Sequence, residues 1–210
     1  ENGARRRRLR LDGEALTVEK IVLASASPRR REILTLAGIP FEVCPADEET
    51  APAGLSPRDL VLALARCKAQ AVAKKFPDRT VLGADTVVVF DDRVLGKPQN
   101  EQDAEKMLLS LQGRAHEVMT GVWVCAPSRE DGFVDATTVH FYPITPKEAA
   151  EYVATGEPMD KAGAYGVQGL GMRFVRGIEG DFYSVMGLPG GRVRRFLDSF
   201  PEFSEKNGKL

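Results

Sequence analysis

The chain has 210 residues, a formal net charge of −1 at pH 7, and hydrophobic and charged fractions of 43% and 28%. This is enough for a full core in one domain or two small lobes, and it gives no global field to gather nucleic acid or an anionic membrane. No apolar run approaches the length of a membrane-spanning helix. The scattered cysteines (Cys44, Cys67, Cys125) and the two histidines (His116, His140) exclude a disulfide framework, a zinc finger and a multi-histidine centre.

Residues 1–19 read as a flexible basic tail or an expression remnant, with Arg5–Arg8 as its one marked feature. A nucleic-acid arm or part of a targeting segment is the alternative, but Glu1, Asp12 and Glu14 dilute a transit-peptide reading and no signal-peptide apolar region is visible. The domain then occupies 20–201, followed by a C-terminal tail over 202–210.

Within the domain, Ile21–Ala24 is a short apolar strand leading through a small-residue turn into a helix, with Ser27 as N-cap and Pro28 at the first helical position. Gly38 ends that helix and "PFEVCPA" is a second strand. An acidic loop, "DEET", precedes a helix capped by Ser56 that runs to about Lys75. "TVLGADTVVVF" and "RVLGKP" form a hairpin around Asp91-Asp92, and Asn100 opens a helix to about Gly113. "HEVMTGVWVCA" and "VDATTVHFYPI" are strands, and "TPKE" is a capping box for a helix ending at Gly156. A glycine-rich stretch follows, then strand-like "MRFVRGIEG" and "FYSVMG", and a helix from about Pro189 to Phe200. Mixed helices and hairpins predict an α/β fold with a mixed sheet.

Several charges stand where a core or a helix dipole should refuse them. Arg29, Arg30 and Arg31 occupy a helix first turn, which carries partial positive charge and suits an anion. On the helix beginning near Asp59, Leu60, Leu64, Lys68 and Val72 follow at i, i+4 spacing, so Lys68 falls in the apolar arc. Its ammonium either snorkels to solvent or reaches an internal anion. Asp85 interrupts an apolar strand after Gly83 and Ala84, where something can approach the backbone closely. A buried aspartate there needs a partner, a proton or a metal; otherwise it sits at a strand end, satisfied by backbone donors. Lys97 lies on the returning arm of the same hairpin, and the glycine-rich stretch carries Asp160, Lys161 and Gln168. No P-loop is present and the Rossmann spacing is absent. Together, clustered cations with Asp85 and a second carboxylate from Glu48 or Glu49, able to hold a hard divalent ion, suit a nucleoside triphosphate.

The blocks "LASASPRR", "LARCKA", "GADTVV", "GKP" and "GEPMDKAGAYGVQGLG", in this order, resemble the Maf family of nucleotide pyrophosphatases from Ile21 to about Phe200. The resemblance implies a mixed, strongly twisted sheet flanked by helices in two lobes with a central cleft, as in inosine triphosphate pyrophosphatases. It implies hydrolysis of a nucleoside triphosphate to the monophosphate and pyrophosphate with Mg²⁺ or Mn²⁺, in a cytoplasmic homodimer that cleans the nucleotide pool. The proton acceptor falls on Asp85, and the phosphate-binding cations on Arg29, Arg30, Lys68 and Lys97, with Ser25 in the same turn. Glu49 matches the family's functional glutamate and would share the metal with Asp85; "DEET" is one residue shorter than the family's pattern, which leaves Glu48 as the fallback. Arg29, Thr86 and Gln168 match the dTTP/UTP branch rather than the 7-methyl-GTP branch; Lys161 completes the substrate-binding set. A non-catalytic nucleotide-binding regulator of cell division is the rival of a different class.

Overall fold

The computed structural model describes residues 10–11, 14–15, 20–47 and 52–203. Two short strands, β1 (Arg10–Leu11) and β2 (Glu14–Ala15), pair antiparallel with each other. The domain proper follows as β3 (Ile21–Leu23), α1 (Pro28–Leu36), β4 (Phe41–Val43), α2 (Pro57–Ala73), β5 (Val81–Phe90), β6 (Arg93–Leu95) and α3 (Glu101–Leu111). It continues through β7 (Ala115–Cys125), β8 (Glu130–Phe141), α4 (Pro146–Val153), β9 (Val175–Glu179), α5 (Phe182–Met186) and α6 (Gly190–Leu197). Arg5–Arg8, Glu48 and Glu49 lie outside the described residues, as do residues 204–210 of the tail.

The main sheet has the order β4-β3-β5-β7-β8-β9, with β6 added to β5. β4, β3 and β5 run parallel; β6, β7, β8 and β9 are antiparallel to their neighbours. This is the mixed α/β sheet that the alternation of helices and hairpins predicts. The β5–β6 turn is tight because Asp91 and Asp92 both adopt positive φ, the mirror-image turn that matches strand twist.

One edge of β5 creates the cleft. β7 covers the other edge along nearly its whole length, from Val81 to Val89. On the first edge, β3 pairs only with Val81 and Leu82, and β6 only with Val88 to Phe90. The intervening Gly83–Val87 segment has no strand partner there among the described residues. β3 turns away at Ala24 to enter α1, leaving the edge open.

Strand alternation sends Asp85 and its two-residue neighbours to one face and Thr86 to the other. On the Thr86 face two apolar clusters form separate lobes. One packs Leu82 and Ala84 against Ile33, Leu34, Val193 and Leu197; the other packs Val88 and Val118 against Leu108, Tyr152 and Phe174. On the Asp85 face α2 lies almost on the backbone of the sheet. A Cβ at Gly83 would stand 2.4 Å from the Ala65 carbonyl oxygen, and one at Gly121 2.4 Å from that of Val61. Gly121 opposes Asp85 in the β5–β7 register, so these glycines seat α2 beside the open edge.

Three expectations are corrected. "FYSVMG" is not a strand but α5: the Asp181 carboxylate accepts from the amides of Tyr183 and Ser184, and Gly187 at φ +119° ends the helix. "MRF" closes a 3₁₀ turn (Leu170–Phe174), and the strand begins only at Val175. On α2 the buried stripe is Val61, Ala65, Ala69 and Val72, which places Lys68 on its border rather than at its centre.

Candidate active site

The open edge of β5 lies in a cleft of about 610 Å³, lined among others by Ser25, Arg29, Arg30, Lys68, Asp85, Thr86, Lys97, Lys161 and Gln168. Every sequence-singled site residue within the described part of the chain is therefore brought to one place. Glu49 and its alternative Glu48 fall outside the described residues.

Local structure explains the convergence. α1 begins where the Ser27 hydroxyl accepts from the Arg30 amide, with Pro28 at the first helical position and no acidic side chain in the first turn. The dipole and the arginines therefore add as positive charge at the cleft. Arg30 is fixed rather than loose: its Nε donates to the Gly187 carbonyl at 2.9 Å, Nη1 to Ser25 Oγ at 3.0 Å, and Nη2 to Thr86 Oγ1 at 3.2 Å. Three of its five N–H groups are thus committed, leaving two for a ligand. Burial pulls the Arg30 guanidinium below its ordinary pKa, Asp85 pulls it back up, and Arg29 opposes that recovery. Ser25 Oγ also accepts from the Ser27 amide at 3.3 Å, so its hydroxyl hydrogen is left to donate into the cleft.

On the other face, the Lys68 ammonium pairs directly with Asp85 Oδ1, their side chains 25% and 17% exposed. Lys68 thus reaches an internal anion, and Asp85 is a paired, half-buried carboxylate in mid-strand. Asp85 Oδ2 has no hydrogen-bond partner among the described residues. One hard carboxylate oxygen open to the cleft suits a Mg²⁺-class ion, which typically takes one or two carboxylates and completes its shell with phosphate and water. No cluster of three or more His, Cys, Asp or Glu side chains suited to a metal occurs among the described residues.

The remaining cations come from two loops. Lys97 is exposed just beyond β6, with no partner among the described residues. Lys161 Nζ donates to Asp160 Oδ1 and to the Glu157 carbonyl, each at 2.6 Å. That bond to Lys161 leads the effects holding the Asp160 carboxyl below its usual pKa. Gln168 is exposed on the glycine-rich loop.

Sequence reasoning missed the supports of this site. Glu157 ties the glycine-rich loop together, accepting from Tyr152 Oη at 2.9 Å and from the amides of Leu170 and Gly171 at 3.0 and 3.1 Å. Against the upward pull of desolvation, those bonds hold its carboxyl low. Nothing in the sequence distinguishes Glu157 from a surface glutamate. Tyr165, which lines the cleft, is held by buried His116: Nε2 lies 2.8 Å from Tyr165 Oη, and Nδ1 has no partner. Burial, with a smaller effect of His140, depresses the His116 pKa to about 4. Gly121 did carry a signal, a glycine inside a strand.

Comparison with known proteins agrees with the motif reading. The family model described as Maf-like protein matches residues 20–200. A dTTP/UTP pyrophosphatase of Bacillus cereus (strain ATCC 10987 / NRS 248) is 50% identical over 193 residues, covering 91% of this chain and 94% of that protein. A dTTP/UTP pyrophosphatase of Bacillus thuringiensis subsp. konkukian (strain 97-27) is 51% identical over 184 residues, covering 87% of this chain and 96% of that protein. Among solved structures, the Staphylococcus aureus Ham1 protein aligns over 59% of this chain and 72% of its own, with 17% identity and a TM-score of 0.42. With the family model spanning nearly the whole described domain and relatives at about half identity along nearly their full length, the chain belongs to the Maf family.

Proposed function

We propose that the cleft hydrolyses a pyrimidine nucleoside triphosphate, dTTP or UTP, to the nucleoside monophosphate and pyrophosphate. The observation that carries this reading is the Asp85 carboxylate, paired with Lys68 and set in a cleft with Arg29, Arg30, Lys97 and the Asp160–Lys161 pair, at the open edge of a strand and the start of a helix. The substrate class rests on the relatives named dTTP/UTP pyrophosphatases.

In this mechanism the Asp85 carboxylate takes a proton from a water molecule as that water attacks the α-phosphorus, and the α–β bridging bond breaks to release pyrophosphate. Lys68 holds the Asp85 carboxylate in position through Oδ1. Arg29, the two uncommitted N–H groups of Arg30, Lys97 and the Ser25 hydroxyl stabilise charge on the triphosphate oxygens. A Mg²⁺ or Mn²⁺ ion held by Asp85 and Glu49 would neutralise phosphate charge and polarise the phosphorus. The carboxamide of Gln168 can both donate to and accept from a uracil or thymine edge. The homodimer and the cytoplasmic location implied by the family resemblance belong to the same proposal.

The test is product analysis on dTTP, UTP, CTP, 7-methyl-GTP and ATP with Mg²⁺ or Mn²⁺. Monophosphate and pyrophosphate from dTTP and UTP support the proposal. Release of nucleoside diphosphate and inorganic phosphate would place the attack at the wrong phosphorus. Nucleotide binding without turnover would favour the regulatory reading instead.

A further inference from the structure

Thr120 lies on β7 directly opposite Thr86, is fully buried, and does not line the cleft. Its hydroxyl donates to the Ser184 carbonyl at 2.8 Å. A threonine hydroxyl has a single hydrogen, so the 2.9 Å contact between Thr120 Oγ1 and Thr86 Oγ1 must run from Thr86 to Thr120. Thr86 in turn accepts from Arg30 Nη2. The chain therefore has one direction: Arg30 to Thr86 to Thr120 to the backbone of α5. It also closes on itself, because Gly187, at the end of α5, accepts from Arg30 Nε. Arg30 Nε and Nη2 are thus both tied to α5 and its C-cap, Nε directly and Nη2 through two hydroxyls, while Nη1 is held by Ser25.

We propose that Thr120 is a positioning residue for substrate phosphate. By accepting the Thr86 hydrogen it turns a Thr86 lone pair toward Arg30 and fixes the guanidinium so that its free N–H groups meet the anion. The Thr86 hydrogen is then spent inside the protein, and this threonine acts on the substrate through Arg30. The proposal rests on the pyrophosphatase reading for its substrate, while the relay itself is testable with inorganic pyrophosphate alone.

The experiment measures pyrophosphate affinity by calorimetry and dTTP turnover for the full chain and for Thr86→Val, Thr120→Val, the double variant and Thr120→Ser. Each valine variant is expected to weaken pyrophosphate binding and raise KM for dTTP by about fivefold to tenfold, the worth of one or two hydrogen bonds, with a smaller change in kcat. The double variant is expected to lose no more than the worse single, as members of one chain do, and Thr120→Ser to recover the wild-type values. Wild-type affinity in Thr120→Val, additive losses in the double variant, or no recovery in Thr120→Ser would each overturn the relay. Should Thr120→Val fail to fold, Thr120→Cys, whose sulfur is both a weak acceptor and a weak donor, takes its place. A wild-type protein that binds pyrophosphate but turns over no triphosphate would sink the pyrophosphatase reading, leaving the binding series to decide the relay.

Discussion

Substituting Gly121 by alanine should disable the site from beneath, without touching any residue in the cleft. The new Cβ would stand 2.4 Å from the Val61 carbonyl oxygen, 2.7 Å from its carbon and 3.0 Å from the Leu62 amide, all of them backbone of α2. No side chain can rotate away, so the helix itself must retreat by about an ångström to reach ordinary contact. Lys68 is carried on that helix and pairs with Asp85, which opposes Gly121 across β5 and β7. Overpacking of this kind costs about 1–3 kcal/mol, and an ångström of misplacement in a catalytic group costs up to about a hundredfold in rate. Gly121→Ala should therefore lower Tm by about 3–10 °C and cut nucleotide turnover by about ten- to a hundredfold, read by thermal denaturation and pyrophosphate release. The control is Gly191→Ala, where an added Cβ meets nothing within 4 Å. A Gly121→Ala protein as stable and as active as the control would refute the argument that the glycines seat α2 and, through it, Lys68.

Further expectations concern pH, thiols and substrate choice. His116 takes its proton near pH 4 in the fold against 6.5 in the unfolded chain, so the stability it contributes is present above pH 6.5 and lost as the pH falls toward 4. The shift corresponds to about 3 kcal/mol, and His116→Gln should show a correspondingly shallower fall in Tm between pH 7 and 4; identical slopes would contradict it. Burial, together with the charge and hydrogen bond of Glu130, pushes the Cys125 thiol up to about 12, so a thiol reagent at pH 8 should label the half-buried Cys44 and Cys67 well before Cys125. Gln168→Ala should shift the ratio of kcat/KM between nucleotides more than it lowers the best kcat, as measured across the same nucleotide panel; an unchanged ratio would remove Gln168 from base recognition.

Much of this arrangement was legible because its residues break local rules. Arg29 and Arg30 in a helix first turn, a lysine beside an apolar stripe and an aspartate in a buried strand each conflict with their own element, and each faces the cleft, whereas Arg31 of the same turn is exposed outside it. The hydrophobic period and the caps at Ser27, Ser56, Asn100 and Thr145 placed the helices well. "FYSVMG" misled because its apolar and aromatic composition suits a strand, whereas Asp181 and Gly187 at its ends decide for a helix. The open edge of β5 could not be read at all, since it depends on β3 stopping and β6 starting along one side of the same strand. Thr120 and Glu157 were equally silent: Thr120 bonds to partners 34 and 64 residues away, and Glu157 ties Tyr152 to amides 13 and 14 residues ahead of it.

The most direct test of the account is pyrophosphate release from dTTP and UTP by the wild-type protein and by Asp85→Asn, in Mg²⁺ or Mn²⁺, with folding checked in parallel. The account predicts turnover by the wild type and a loss of about 10²- to 10⁴-fold in a folded Asp85→Asn protein, the contribution of a general base. A folded Asp85→Asn protein that retains most of the wild-type rate would contradict the assignment of Asp85 as the base, and with it the mechanism built on the open edge of β5.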